Sequence, residues 1–409
     1  MSGGPKPLDG IRVVEVDSWM AAPSAGAMMS DLGADVVKVE PLSGDPMRGT
    51  GRPAKVDGAL EGYDFGFDVD NRGKRSIAVD LGTDAGADVV RRLVETADIF
   101  LCNLLPQRQA RFGLDPETLH AIRPRLVHAT LTGYGTDGPQ AWRPGYDVTS
   151  FFGRSGLYDS MRESADGIVS QARPAQGDHT TGLALLATIL AALRLVDTTG
   201  EGQVVETSLY ETAAWTLATD FSVTAADGAP VRQRSRHQLI TPLANRYPCG
   251  DDKWVVFNMP EEPAFAQFCH AVGLEHLITD DRFDTMRKRF HNMAELVDLI
   301  DEKLSEKTRD EWGPIFDEHK IIWGPVFGLH EVVADDQAEA MGMFPTIEHP
   351  EKGTYRTVRA PLRIHGVDTD PQAPSPTVGE HSRSVLADAG FDEDEIQALV
   401  ESGAIGAPG

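Results

Sequence analysis

Short apolar, β-branched runs alternate with helical segments through roughly the first 140 residues, and this alternation constrains the fold most. Arg12 to Val16 (RVVEV), Val36 to Glu40 (VVKVE), Arg75 to Leu81 (RSIAVDL), Asp98 to Leu101 and Leu126 to Leu131 read as strands. Between them, Pro23 to Asp35 reads as a helix ending at Gly33. Asp84 to Ala97 is amphipathic, with Val89, Val90, Leu93 and Val94 on one face. Strand–helix–strand repetition predicts βαβ units and a parallel sheet. Ligands of such sheets bind beyond the carboxyl ends of the strands.

Thr181 to Val196 follows as a long helix, apolar nearly all round, which predicts burial between layers. It is short for a membrane span and carries Arg194. Val204 to Ser208 reads as a strand and Glu211 to Thr224 as a helix. Residues 227–250 are irregular and rich in Arg, Pro and Gln. Beyond them Trp254 to Asn258 is a strand, and Pro263 to Val272 and Met293 to Leu304 are helix-like. The expected organisation is a large α/β domain over 1–225, a smaller α/β domain over 226–330, and a segment 331–409 returning to the large domain.

The formal net charge of −25 opposes nucleic-acid binding and docking on anionic membranes. Cys102, Cys249 and Cys269 are too few and too scattered for a disulfide framework or a zinc site. With no apolar leader-like run near Met1, a reducing cytoplasm is the expected compartment.

Familiar phosphate and metal signatures are missing. The Asp17 to Ser24 loop (DSWMAAPS) has no GxGxxG, and GxxxxGK[ST], HExxH and GxSxG do not occur. No metal is expected. Asp68 and Asp70 read as solvated loop charges, and His179 as an ordinary loop histidine. Arg48, Arg52, Arg72, Lys74, Arg75, Arg108 and Arg111 concentrate positive charge in the first half, as phosphates would require. Tyr134 and Tyr146, each beside glycine, are candidate bases, ligand contacts or packed loop residues.

The most informative stretch is Gly177–Asp178–His179–Thr180–Thr181–Gly182, at the mouth of the apolar helix. Asp178 reads either as a helix N-cap or as a reactive carboxylate kept ionised by the helix N-terminus. Local sequence leaves both open.

Taken in order, several segments resemble the family III CoA-transferases, related to formyl-CoA transferase and carnitine CoA-transferase, with α-methylacyl-CoA racemase in the same superfamily. They are Pro7 to Val13 (PLDGIRV), Leu32 to Glu40 (LGADVVKVE), Lys74 to Ile77 (KRSI), Gly202 to Leu209 (GQVVETSL) and Gly379–Glu380–His381. The resemblance spans nearly the whole chain. It implies a Rossmann-like large domain, a smaller domain, and two chains interlocked as a homodimer. It implies coenzyme A as the group carried, an acyl-CoA donor, a carboxylic acid acceptor, and no metal. It places the catalytic carboxylate at Asp178, which attacks the thioester and passes through an aspartyl–acyl anhydride and an aspartyl–CoA thioester. Coenzyme A contacts carry over to Trp19, Met20, Val79, Asn103, Leu104, Arg111 and Tyr146. Pro41 stands where many relatives have Arg, with Arg48 or Arg52 as substitutes, and Leu104 where an aromatic is common.

Three alternatives remain. Racemase relatives carry Gly–His–Asp where this chain has Gly145–Tyr146–Asp147, and a tyrosine is a poor base at neutral pH. An intramolecular CoA-transferring isomerase would use the same aspartate, and a non-catalytic CoA-binding protein would not need it. Gln238 to Asp252 lacks the glycine-rich run of formyl-CoA transferases. A larger or more apolar acyl group is therefore expected, with His237, Gln238 and Asn245 as acceptor contacts.

Overall fold

The computed structural model describes residues 4–406. Its contacts divide the chain into two compact units. One contains residues up to 157, 171–227 and 339 onward; the other contains 158–170 and 228–338. The short segment 158–170, which the alternation pattern grouped with the large domain, therefore falls in the second unit.

The first unit is built on the alternation. In chain order come β1 (Arg12–Val16), α1 (Ala21–Asp31), β2 (Asp35–Glu40), α2 (Phe65–Asn71), β3 (Arg75–Val79), α3 (Asp84–Val94), β4 (Ile99–Cys102), α4 (Pro106–Phe112), α5 (Pro116–Ile122) and β5 (Val127–Thr132). A π-helix follows over Asp147–Arg154, then α6 (Leu157–Ser160), which passes into the second unit after its first residue, and, back in the first unit, α7 (Gln176–Thr199), β6 (Gln203–Ser208), α8 (Leu209–Thr216) and α9 (Ala218–Asp227). The strands stand in the order β3-β2-β1-β4-β5-β6, all parallel. The C-terminal pair Ile405–Gly406 adds antiparallel to β3. This order reverses between β1 and β4, so the loops leaving those two strands flank a crevice at the carboxyl edge.

A buried ion cluster fixes that edge. Lys38 on β2 lies 3.1 Å from Asp17, 3.0 Å from Asp45 and 3.6 Å from Glu15, and Lys74 lies 2.6 Å from Glu15. Lys74 also donates to the Pro23 carbonyl at 2.9 Å and to Asn71 at 3.2 Å, tying α1 and α2 to the cluster. Burial opposes the Lys38 ammonium, but the three carboxylates outweigh it and raise its proton affinity. Burial, then the Asp17 charge, raises Glu15. Such a cluster stands only while every member is paired.

Helix α7 is longer than its apolar run suggests, at 24 residues, because Gln176 to Thr180 join it at the start and Asp197 to Thr199 at the end. It is not buried all round. Leu185, Leu186, Ile189 and Ala192 are buried, while Ala187, Leu190, Ala191 and Leu195 are exposed. One face packs on α1, and the other apolar face stays exposed among the described residues. Its length would suffice for a bilayer, but it feeds directly into β6 and packs against β5 and β6. It is a layer of the α/β unit. Gly182 permits the close approach to α1: a Cβ there would sit 2.8 Å from the Ala21 carbonyl oxygen and closer still to Ser24 Oγ.

The second unit has an antiparallel sheet of β7 (Ala244–Pro248), β8 (Trp254–Asn258) and β9 (Trp323–Val326). It also holds α10 (Glu262–Val272), α11 (Met286–His291), α12 (Met293–Leu304) and α13 (Arg309–Glu318). Phe257, Phe268, Trp312 and Phe316 centre its core, with Trp312 stacked on Phe316 at 5.6 Å. Strand β7 lies within the stretch read as irregular. Its sequence ANRYP has no β-branched residue, and its pairing with β8 supplies what propensity does not.

Lys38→Met would leave Asp17 and Asp45 buried without their counter-charge. A loss of about 3–5 kcal/mol is expected in urea unfolding. A loss below about 1 kcal/mol would show that the cluster is not structural.

Candidate active site

Asp178 occupies the first turn of α7, three residues past the N-cap Ala175. It is therefore not the N-cap, and Ala175 makes no side-chain cap hydrogen bond. Ala175 has φ 77°, a left-handed conformation that costs a non-glycine residue energy. The charge state of Asp178 also departs from the sequence reading. Burial foremost, then the like charge of Asp147, pushes its carboxyl up to about 7. The positive charge of His179, which favours the carboxylate anion, does not reverse this, because desolvation penalises the charged form more.

Asp68 and Asp70 are not solvated loop charges. They lie on α2 and are 1% and 2% exposed. Asp68 accepts from the hydroxyls of Tyr63 and Tyr355 at 2.6 and 2.8 Å. Asp70 lies 2.9 Å from His179 Nε2, and that hydrogen bond and charge raise His179 against its burial. His179 is thus oriented beside Asp178 by a buried carboxylate, a role that sequence adjacency alone does not signal.

At the β1–β4 crevice, Ser18 and Asn103 exchange hydrogen bonds. Ser18 N donates to Asn103 Oδ1 at 3.3 Å, and Asn103 Nδ2 donates to Ser18 O at 2.7 Å. Trp19 has φ 68° and donates its backbone N–H to Asp45 at 3.2 Å, so the ion cluster holds its strained backbone. The Trp19 and Tyr146 rings meet edge to face at 5.8 Å. Tyr146 is half exposed, whereas Tyr134 packs against Tyr210 with the Arg143 and Arg154 guanidinium groups near its ring. Gly133 and Gly145 let these two loops touch, since a Cβ on Gly133 would lie 2.6 Å from Gly145 Cα.

Met20 leads into α1, and Arg111 is exposed on α4. Leu104 is buried at the end of β4. Val79 is also buried, its side chain in the core beneath the sheet and its backbone paired with Ile405, so only its main chain is near the edge. Most of the basic set is already engaged. Arg48 pairs with Glu40, Arg72 with Asp31, Lys74 with Glu15, and Arg75 with Asp35 and Asp388. Among the described residues Arg52, Arg108 and Arg111 form no ion pair.

In the second unit, His237 and Gln238 line a cavity of about 220 Å³ with Arg232, Arg234 and Phe290. Asn245 does not reach it: the side chain is buried and its amide donates to the Arg236 carbonyl at 2.9 Å. His237, Asp298 and Asp301 place ligand atoms within 4.8 Å of one another, but Arg236 already bonds Asp301, at 3.0 Å through Nη1.

The sequence matches the model of CoA-transferase family III over residues 8–382, and the chain belongs to that family. It is 30% identical to (R)-2-hydroxy-4-methylpentanoate CoA-transferase of Clostridioides difficile, covering 97% of this chain and 98% of that one. It is 31% identical to cinnamoyl-CoA:phenyllactate CoA-transferase of Clostridium sporogenes, covering 96% and 95%. A solved CAIB/BAIF family protein from Brucella suis superposes with a TM-score of 0.82 at 30% identity, over 94% of this chain and all of that one. The protein is a family III CoA-transferase, an enzyme class that takes CoA thioesters as substrates and implies an acyl-CoA donor and a carboxylate acceptor.

The raised Asp178 sets a pH dependence of stability. Its folded value, about 7, exceeds the ordinary 3.8, so the native state keeps a proton that the unfolded chain releases. Wild-type stability therefore falls as pH rises through this window. Asp178→Asn should melt higher than wild type near about pH 8, and the difference should vanish near about pH 4 in fluorimetric melts. An unchanged difference at the two pH values would contradict the assignment.

Proposed function

We propose that the enzyme moves CoA from an acyl-CoA donor to a carboxylic acid acceptor through covalent adducts on Asp178. One observation carries the reading: the partly buried first-turn carboxylate of α7, on a helix that Gly182 brings against α1 beside the β1–β4 crevice. Asp178 attacks the donor thioester carbonyl, forming the anhydride and releasing CoA thiolate. The thiolate attacks the Asp178 carbonyl, giving the aspartyl–CoA thioester and the donor acid. The acceptor carboxylate then attacks this thioester, and CoA thiolate finally takes the acceptor acyl group. Bonds and charges balance without net proton transfer, so no general base is required. Tyr146, edge-on to Trp19, then serves as a wall for CoA. Trp19, Met20, Asn103, Leu104 and Arg111 flank the path of CoA, with Val79 contributing main chain only.

An acyl group larger or more apolar than formate or oxalate fits the missing glycine-rich run. The relatives named for 2-hydroxy-4-methylpentanoate and phenyllactate support that class. The compartment is proposed to be cytoplasmic, in keeping with three free, buried cysteines.

Hydroxylamine added with an acyl-CoA panel should trap a hydroxamate on Asp178, seen by peptide mass spectrometry. Asp178→Ala should lose the adduct and roughly a thousandfold or more in kcat. Transfer with no adduct at Asp178 contradicts the mechanism, and α-proton exchange in heavy water without transfer would indicate racemase chemistry.

The chain is further proposed to act as an interlocked homodimer. Support comes from the outer apolar face of α7 and from Val204, Trp215 and Val223, which are 56%, 80% and 59% exposed. A single soluble chain rarely exposes so much apolar surface in one region. Light scattering should give twice the 44.4 kDa of one chain; a mass of one chain at micromolar concentration would refute the dimer.

A further inference from the structure

Helix α7 lacks a cap of its own, and the group that replaces it comes from elsewhere in the sequence. Asp147, the first residue of the π-helix, is 5% exposed. Its Oδ1 accepts the Gly177 N–H at 3.1 Å, the amide just before Asp178. Gly177 is a glycine for this reason: a Cβ there would lie 2.3 Å from both Asp147 Oδ1 and Phe151 Cγ. The π-helix start is itself fixed, since Ser150 N donates to the Tyr146 carbonyl at 2.8 Å and Tyr146 N donates to Thr149 Oγ1 at 3.0 Å. Asp147 Oδ2 is buried and has no hydrogen-bond partner. A buried carboxylate with a spare lone-pair edge is costly, and one that serves only as a cap would be replaced at lower cost by Asn or Ser.

We propose that Asp147 is a positioning residue for Asp178: through the Gly177 N–H it fixes the first turn of α7 and sets a second carboxylate where its charge acts on the reacting one. This rests on Asp178 being the reacting group. The groups acting on Asp178 are Asp147 from the π-helix, Asp70 from α2 and His179 from its own turn. His179 is engaged by Asp70, which leaves Asp147 as the principal like charge. A more basic carboxylate is a stronger nucleophile toward a thioester once ionised. Asp147 therefore exchanges native stability for reactivity at Asp178.

Asp147→Asn keeps an oxygen for Gly177 N–H and removes the charge; Asp147→Ala removes both. The titration of Asp178 can be followed by carbon NMR of protein labelled at aspartate carboxyl carbons, its resonance assigned by its loss in Asp178→Asn. In Asp147→Asn the midpoint should fall by on the order of one pH unit. The acidic limb of kcat should move with it, while KM for acyl-CoA changes less than twofold. Asp147→Ala should show the same titration shift with a lower melting temperature, and Asp147→Ser serves the comparison if either variant folds poorly. A wild-type Asp178 titration in a folded Asp147→Asn protein overturns the proposal. A shifted titration without any adduct at Asp178 would sustain Asp147 as the source of the charge effect and sink the covalent mechanism instead.

Discussion

The carboxyl edge of the first sheet depends on two lysines buried among three carboxylates. Lys38 and Lys74 join β1, β2, α1, α2 and the Asp45 loop in one ion cluster from which water is excluded. None of these charges could be buried alone, since the desolvation cost of each is met only by the others. The consequence is local rigidity. Asp45 holds the Trp19 backbone in a conformation that tryptophan does not adopt freely, and Lys74 holds the start of α1 through Pro23. Helix α1 in turn is the surface on which α7 presents Asp178.

Asp178 sits in a different balance. The ion cluster neutralises its carboxylates with lysines, but among the described residues no lysine or arginine pairs with Asp178. Its neighbour His179 is drawn to Asp70, and Asp147 adds negative charge. Burial then makes ionised Asp178 costly, which lowers native stability and raises basicity at one atom. A carboxylate in that condition suits covalent exchange with a thioester, in which the charge passes from aspartate to thiolate and back.

Much of this was legible in the sequence. The β-branched runs located β1 to β6 within a residue or two, because a parallel sheet buries both faces and needs continuous apolar strands. Local sequence favoured a helix cap at Asp178 and only the family resemblance pointed to a nucleophile there; the cap itself falls at Ala175. What stayed hidden depends on partners distant in sequence. Asp68 and Asp70 looked solvated because two carboxylates in an acidic chain usually are; their burial follows from Tyr63, Tyr355 and His179. Lys74 and Arg75 looked available for phosphates, and only the fold pairs them with Glu15 and Asp35. Asp147 lies 31 positions before Asp178, and no helical or strand period links them. Apolar periodicity also misjudged α7, because an all-round apolar helix can face either the core or another chain.

Covalent exchange at Asp178 makes a claim about oxygen atoms that no alternative shares. With an acceptor acid labelled in both carboxyl oxygens by oxygen-18, one labelled oxygen should remain in the Asp178 carboxyl after turnover. The peptide containing Asp178 would gain about two mass units, and the released donor acid would carry an oxygen from the enzyme. Efficient transfer with no label in that peptide would contradict the account, because CoA would then have passed between acids without the aspartate as its carrier.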